Sequence, residues 1–191
     1  MASNRRMGPQ DSATSTALLD ATERVIREEG YAAATSRRIA TEAGVKQQLV
    51  YYYFRTMDEL LLQTFRRRVE RALARLQEDI AADTPIQTIW KNLTTTIDGK
   101  LSFEFVALAN HHDGIRDEVR HFITESRRME AAAVERQVRE KGVDMGPITP
   151  SAAAFIMYSV SLILRREAAT GITEGHDDVL ALMDWMLERV S

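Results

Sequence analysis

Apolar side chains in this chain recur every three or four positions over almost its whole length, and no stretch shows the apolar–polar alternation of a half-buried strand. Only 9 Gly and 4 Pro interrupt that period in 191 residues, so helices must pack on helices and the expected fold class is all-α. Breaks at Gly30, Gly44, Gly99, Asp113 with Gly114, Gly142 to Pro150, and Gly171 to Gly175 divide the chain into nine helices. The first is expected to start at Thr14 or Ser15, both good N-caps, and to stop at Gly30. The others are expected at about 35–42, 46–53, 56–82, 84–98, 101–111, 113–141, 149–170 and 174–190.

A small three-helix group followed by six further helices implies two domains. Residues 1–13 are polar and aperiodic and read as a disordered N-terminal arm. Residues 14–56 form a small three-helix domain, and residues 57–191 a larger helical one. Thr56 and Glu59 have capping-box spacing at the head of the fourth helix. At 1.5 Å per residue that helix would be about 40 Å long, enough to bridge the two domains.

Several function classes fall away on composition. There is no cysteine, so disulfides and thiolate metal sites are excluded, which fits a reducing cytoplasm. The start lacks the apolar stretch of a secretory signal, and the longest nearly uncharged apolar run, Ser151 to Leu164, is too short to span a bilayer. A cytoplasmic protein without membrane contact is expected. Neither a Gly-rich phosphate loop nor a G-x-S-x-G turn nor an acid–base pair at a recognisable site is present, so no enzyme and no cofactor are expected. The net charge of −3 is unevenly spread: residues 1–55 carry 8 Lys/Arg against 6 Asp/Glu, the remainder 17 against 22. The mildly basic end is the plausible nucleic-acid face.

Residues 36–55 carry the most specific pattern. Two short helices crossing steeply need a small residue where they approach, a positive-φ residue between them, and apolar side chains facing inward. Ile39 is inward, Ala40 is small at the crossing, Gly44 makes the turn between Ala43 and Val45, and Val50 and Tyr53 point back to the core. This is a helix-turn-helix. Its second helix then presents Lys46, Gln47, Gln48, Tyr51, Tyr52 and Arg55 outward. Glutamine can pair with adenine through two hydrogen bonds, and Gln47 and Gln48 sit at the helix N-terminus, where side chains reach base edges. Leu49 is placed to touch a thymine methyl. Lys46, Tyr51, Tyr52 and Arg55 suit phosphates. Tyr53 and Phe54 read as core packing; Tyr51 and Tyr52 are open to either role.

Gly30 and Tyr31, Ile39 and Ala40, Ala43 to Val45, Tyr51 to Phe54, and Asp58 to Leu61 together resemble the TetR family of bacterial transcriptional regulators. The resemblance covers about residues 14–65. It implies a homodimer that binds a palindromic operator through the small domain. The larger domain would then bind a small-molecule effector and dimerise through its last two long helices. Carried over by position, the DNA face gains Thr35 and Arg37 beside the residues already named. Three positions depart from the family's habit: Leu49 replaces a frequent serine or threonine, Arg55 a frequent proline, and Met57 a common phosphate-binding lysine. Arg55 is then the candidate for the missing charge, and Arg5 and Arg6 for a minor-groove arm.

In the larger domain, helix 174–190 carries Val179, Leu180, Leu182, Met183, Trp185, Met186, Leu187 and Val190 over more than half its circumference, whereas a surface helix needs one stripe. One face is expected against the domain and one against a second copy, with helix 149–170 supplying small residues for close packing. Trp90, Phe103, Phe105, Leu108, Phe122, Met129, Met157 and Tyr158, spread over the middle helices, are the candidates for an apolar ligand pocket, with plain core filling as the competing role. No metal is expected: His111 and His112 are adjacent and point about 100° apart on a helix, leaving His112 and Asp113 to cap or face solvent. Arg66, Arg67 and Arg68 read as a solvated face. The leading function is a ligand-released homodimeric repressor. The alternative is a DNA-binding architectural or partner-controlled regulator without a small-molecule effector, which a larger domain with no cavity would favour.

Overall fold

The computed structural model describes residues 12–96 and 98–190, and among these every regular element is a helix. Nine α-helices follow in order: α1 (Ala13–Glu29), α2 (Ser36–Glu42), α3 (Gln48–Tyr53), α4 (Met57–Ile80), α5 (Pro85–Thr95), α6 (Gly99–Ala109), α7 (Asp113–Lys141), α8 (Pro150–Ala169) and α9 (His176–Glu188). A 3-10 turn, Tyr31–Ala33, joins α1 to α2. Residues 1–11, with Arg5 and Arg6, lie outside the described residues. The first helix begins earlier than expected: Ser12 is its N-cap, accepting from the Ser15 N–H at 3.1 Å, while Ser15 itself is buried. The cap at the head of α4 is half of a capping box, because Glu59 reaches back to the residue before Thr56. Thr56 Oγ1 accepts from the Glu59 N–H at 3.0 Å and Glu59 Oε2 accepts from the Arg55 N–H at 3.0 Å.

The chain divides into two compact units, and the division does not fall at residue 56. The first unit runs up to Val69, well inside α4, and takes in Glu104–Val119; the second holds Glu70–Phe103 and the chain from Arg120 onward. Packing gives the reason. In the first unit, Phe105 of α6 stacks on Phe65 of α4 with ring centroids 4.7 Å apart, and Leu108 and Ile115 are buried alongside. The three consecutive arginines of α4 are not a solvated face. Arg66 pairs with Glu118 of α7 at 2.6 Å, Arg67 with Asp20 of α1 at 2.5 Å, and Arg68 approaches Glu23 at 3.8 Å. Leu18, Ala21, Val25 and Ile26 of α1 are fully buried at helical spacing, with Ile39 and Ala40 of α2, Val50 of α3 and Leu60 and Leu61 of α4.

The second unit has its own apolar core of Leu76, Ile86, Ile89, Trp90, Leu93, Ala133, Val134, Met157, Met183 and Leu187. Gln137 of α7 is buried at its edge with its amide fully engaged. Its Oε1 accepts from the Ile86 N–H of the first turn of α5 at 3.1 Å, and its Nε2 donates to Gln87 Oε1 at 3.1 Å and to the Val190 carbonyl at 2.7 Å. One side chain thus satisfies backbone groups that two helix ends leave open. Gly99 opens α6 where a Cβ would stand 3.0 Å from Arg165 Cβ of α8, so any other residue there would require α8 to give by a few tenths of an ångström.

Candidate nucleic-acid interface

The crossing of α2 and α3 is built from backbone hydrogen bonds that require Gly44. With Gly44 at φ 68°, its N–H reaches the Thr41 carbonyl at 3.1 Å and the Val45 N–H reaches the Ala40 carbonyl at 2.9 Å, the paired bonds of a Schellman ending. No atom lies within 4 Å of where a Gly44 Cβ would be, so the requirement is conformational and not steric crowding. At the other end of α2, Thr35 is the N-cap, its hydroxyl accepting from the Arg38 N–H at 3.2 Å. The chain thus starts and stops α2 within seven residues and sets α3 across it.

Lys46, Gln47, Gln48, Tyr51, Tyr52 and Arg55 are all exposed, as are Thr35 and Arg37 on α2; Leu49 is half-buried. Phe54 is fully buried and Tyr53 half-buried, its ring edge-on to Tyr52 at 5.0 Å. Tyr51 and Tyr52 remain 44% and 46% exposed, too open for core aromatics. One organising residue had no sequence signal. Ser36, at the first turn of α2 and buried, accepts from Gln47 Nε2 at 2.9 Å and from the Tyr51 hydroxyl at 3.2 Å. Its partners are 11 and 15 residues away, beyond the reach of any helical periodicity.

Charge around α2 is arranged so that Arg37 and Arg38 differ. Arg38 pairs with Glu29 at 2.5 Å and Glu42 at 3.0 Å, and Glu42 also accepts from Arg24 at 2.9 Å. The hydrogen bonds from Arg24 and then Arg38 hold the Glu42 carboxyl below its ordinary range, while Glu29 and Glu42 raise the Arg38 guanidinium. Arg38 therefore belongs to an intramolecular network.

The back of the unit is fixed by residues far along the chain. Glu104 Oε2 accepts from the Tyr31 N–H at 3.0 Å, beside Gly30 at φ 84°. His112 stands at the N-cap position of α7, its carbonyl accepting from the Arg116 N–H at 2.9 Å, and its half-buried ring hydrogen-bonds the Tyr31 hydroxyl at 3.2 Å through Nε2 and lies 3.5 Å from Asp58 Oδ1 through Nδ1. Tyr31 and His112 are 81 positions apart, so only tertiary packing reveals the pair. Asp113 opens α7 and pairs with Arg116 at 2.7 Å. Among the described residues no group of three His, Asp or Glu side chains stands close enough to hold a metal ion, and no helix is long and apolar enough to cross a membrane.

The eight pocket candidates do not assemble as one set. Trp90, Met129, Met157 and Tyr158 meet in the core of the second unit, where Phe103 lies under the Arg166 guanidinium and Phe122 is half-buried. Phe105 and Leu108 belong to the first unit's core. A groove of about 510 Å³ in the second unit runs between Gln77 and Ile80 of α4 and the Arg128–Arg139 stretch of α7; of the candidates only Met129 lines it. Glu130 of α7 is 3% exposed, and burial pushes its carboxyl up to about 7 against a smaller opposing pull from Arg127. On α8 and α9, Phe155, Ile156, Ile163, Leu182 and Trp185 stay exposed.

Comparison with known proteins agrees with this geometry. The family model "Bacterial regulatory proteins, tetR family" matches residues 18–64, which enclose α2, Gly44 and α3. The HTH-type transcriptional regulator PksA of Bacillus subtilis (strain 168) is 30% identical over 123 residues, 56% of this chain and 60% of that one. The chain spans about 30% to 60% of the length of the curated relatives it matches. A crystal structure of a TetR/AcrR family member superposes with a TM-score of 0.79 at 15% identity, covering 92% of this chain and 98% of that one. A regulator from Saccharomonospora viridis in complex with choline superposes at 0.72 and 20% identity, covering 82% and 85%. Residues 18–64 thus match the DNA-binding region of the TetR family of bacterial regulators, and the chain has the fold of a TetR/AcrR family member.

Proposed function

We propose that this chain binds operator DNA as a homodimer, places α3 in the major groove, and represses transcription until a small molecule releases it. The observation that carries the DNA reading is the exposure of Gln47, Gln48, Tyr51 and Tyr52 on one short helix whose opposite side, at Val50, is fully buried. Gln47 and Gln48 would read base edges. Thr35, Arg37, Lys46, Tyr51, Tyr52 and Arg55 would bind phosphates or adjoining bases, and Leu49 would meet a thymine methyl. One Gln47 N–H is held by Ser36; the second N–H and the carbonyl are what a bidentate contact with adenine uses.

Dimerisation is supported by the apolar side chains that α8 and α9 leave in water. A second copy placed on them would cover Phe155, Ile156, Leu182 and Trp185 and bring two recognition helices to half-sites about 34–36 Å apart. The second unit, which is the larger part of the 57–191 region expected from the sequence, would hold the effector. Trp90, Met129, Met157 and Tyr158 suit a largely apolar ligand. The buried Glu130 carboxyl would welcome a hydrogen-bond donor or cationic head, as would be consistent with choline in the Saccharomonospora viridis regulator. Release would follow if the ligand favours an arrangement of α4 that separates the recognition helices wrongly for the operator.

The test is selection of genomic fragments by the purified protein, followed by binding titration. The expected result is an inverted-repeat site bound by a species of twice 21.6 kDa. Fragments enriched without any shared sequence would overturn the reading of α3, and a monomeric mass in light scattering would overturn the dimer.

A further inference from the structure

Ser36 lies between Thr35 and Arg37, two side chains proposed to touch DNA, yet it is 8% exposed and is itself withdrawn from the surface. Its hydroxyl oxygen is the meeting point of two donors from α3, Gln47 Nε2 at 2.9 Å and the Tyr51 phenol at 3.2 Å. Gln47 and Tyr51 are four residues apart and therefore neighbours on one helix face. A single acceptor below them fixes two long side chains at once. A free glutamine samples many rotamers, and its amide can present either its carbonyl or its N–H groups to a given base. Holding one N–H on Ser36 removes that ambiguity.

We propose that Ser36 is a positioning residue that determines sequence specificity: its hydroxyl orients the Gln47 amide and the Tyr51 phenol, and so sets base preference from a side chain that does not reach the DNA. This rests on the DNA reading of α3 given above. Its chemistry is distinct from a packing role. A buried serine that merely filled space between α2 and α3 would be replaceable by any side chain of equal volume. An orienting hydroxyl is replaceable only by another hydroxyl.

Ser36→Thr and Ser36→Val separate these roles, because the two differ chiefly by a hydroxyl against a methyl; Ser36→Ala removes the hydroxyl without adding bulk. Each full-length variant and the original chain are taken through selection from a randomised duplex DNA library, with thermal melting alongside. The original chain and S36T are expected to share one preferred site. S36V and S36A are expected to lose about three- to tenfold of the discrimination at one base position per half-site, the loss of about one hydrogen bond. Their preference elsewhere in the site is expected to persist. If S36V and S36A keep the full preference, or bind every sequence more weakly by one common factor, the orienting role is overturned while the DNA reading stands. If the original chain itself selects no sequence, both fall.

Discussion

The two units differ in which large apolar side chains they leave in water. Among the described residues the first exposes Tyr31, Tyr51, Tyr52 and one aliphatic residue, Val106; the second exposes Phe155, Ile156, Ile163, Ile172, Leu182 and Trp185. A phenol keeps a hydrogen-bonding tip while its ring is covered, which suits a wet, charged partner. An exposed isoleucine or leucine gains only from an apolar one. Buried polar groups differ as well. In the first unit Thr22 and Thr64 donate back to Leu18 and Leu60 carbonyls at 2.8 Å, Ser36 accepts two donors, and Glu23 meets Arg27 at 2.8 Å. In the second, Gln137 is equally well served, but no hydrogen bond reaches the Glu130 carboxyl among the described residues. The second unit contains groups that a further partner would improve.

The largest effect should come from the apolar face. Replacing Leu182 and Trp185 together by glutamate puts two charges where a second copy would sit and leaves the buried Met183 and Leu187 of α9 untouched. A dimer that engages two half-sites gains on the order of a hundredfold or more over one engaged site. The variant is expected to be monomeric in light scattering, to melt normally, and to lose that factor on any selected site. Unchanged mass would show that these side chains are exposed for another reason, and would erase the contrast between the units.

The buried carboxyl gives the next effect, through pH. Glu130 is raised from 4.5 to about 7 by burial, so in the folded chain it keeps its proton over a range where the unfolded chain has lost it. Its contribution is therefore favourable near pH 4.5 and is lost as pH rises towards 7, a fall of about 3 kcal/mol for a shift of this size. Glu42 and Glu125, held low by arginines, act in the opposite sense and only at lower pH. Urea unfolding of Glu130→Gln at several values between pH 5 and 8 should lack that fall. A variant as pH-dependent as the original would place the sensitivity elsewhere. A ligand carrying a cationic head should raise the melting temperature of the original chain more at pH 8 than at pH 5, and should do so weakly in the variant.

The third effect belongs to the first unit. Gly44→Ala meets no atom within 4 Å, so its whole cost is the left-handed backbone at φ 68°, about 1–2 kcal/mol. Melting should drop by several degrees while the preferred sequence is retained once folded. A changed sequence preference without lost stability would mean that α3 can be reset without strain, and that the first unit is less fixed than its hydrogen bonds imply.

What the sequence revealed follows the range of each interaction. Ile39, Ala40, Gly44 and Val50 lie within 12 residues and were enough to place α2 across α3, because helical period and a positive-φ turn are local physics. The exposed apolar face of α9 was legible for the same reason. Ser36 with Gln47, Tyr31 with His112, and Arg66 with Glu118 were not, since each joins separate helices and leaves no periodic trace. The pocket candidates failed to form one set because aromatic residues on neighbouring helices look alike in sequence. Phe105 is drawn into the first unit by Phe65, which nothing local to it could signal, and Leu108 is buried in the same unit. The domain limit at residue 56 missed the same fact: α4 continues past it with side chains still packed on α1.

The smallest effect concerns Arg55, which is the candidate for a phosphate contact at the head of α4 because Met57 offers no charge there. The Arg55 N–H is fixed on Glu59 at 3.0 Å and its side chain is exposed, so the guanidinium stands at the head of α4 on a rigid backbone. If it takes over the phosphate contact, Arg55→Ala should weaken binding to every sequence by a similar few-fold and lower the slope of log affinity against log salt by about 1. The preferred sequence should not change, which separates this variant from any change at Gln47. Adding Met57→Lys to Arg55→Ala should return most of the lost slope, because the charge would be supplied again from the next turn. If Arg55→Ala leaves the slope unchanged, the head of α4 does not touch the phosphates, and the exposed polar surface of the first unit ends with α3.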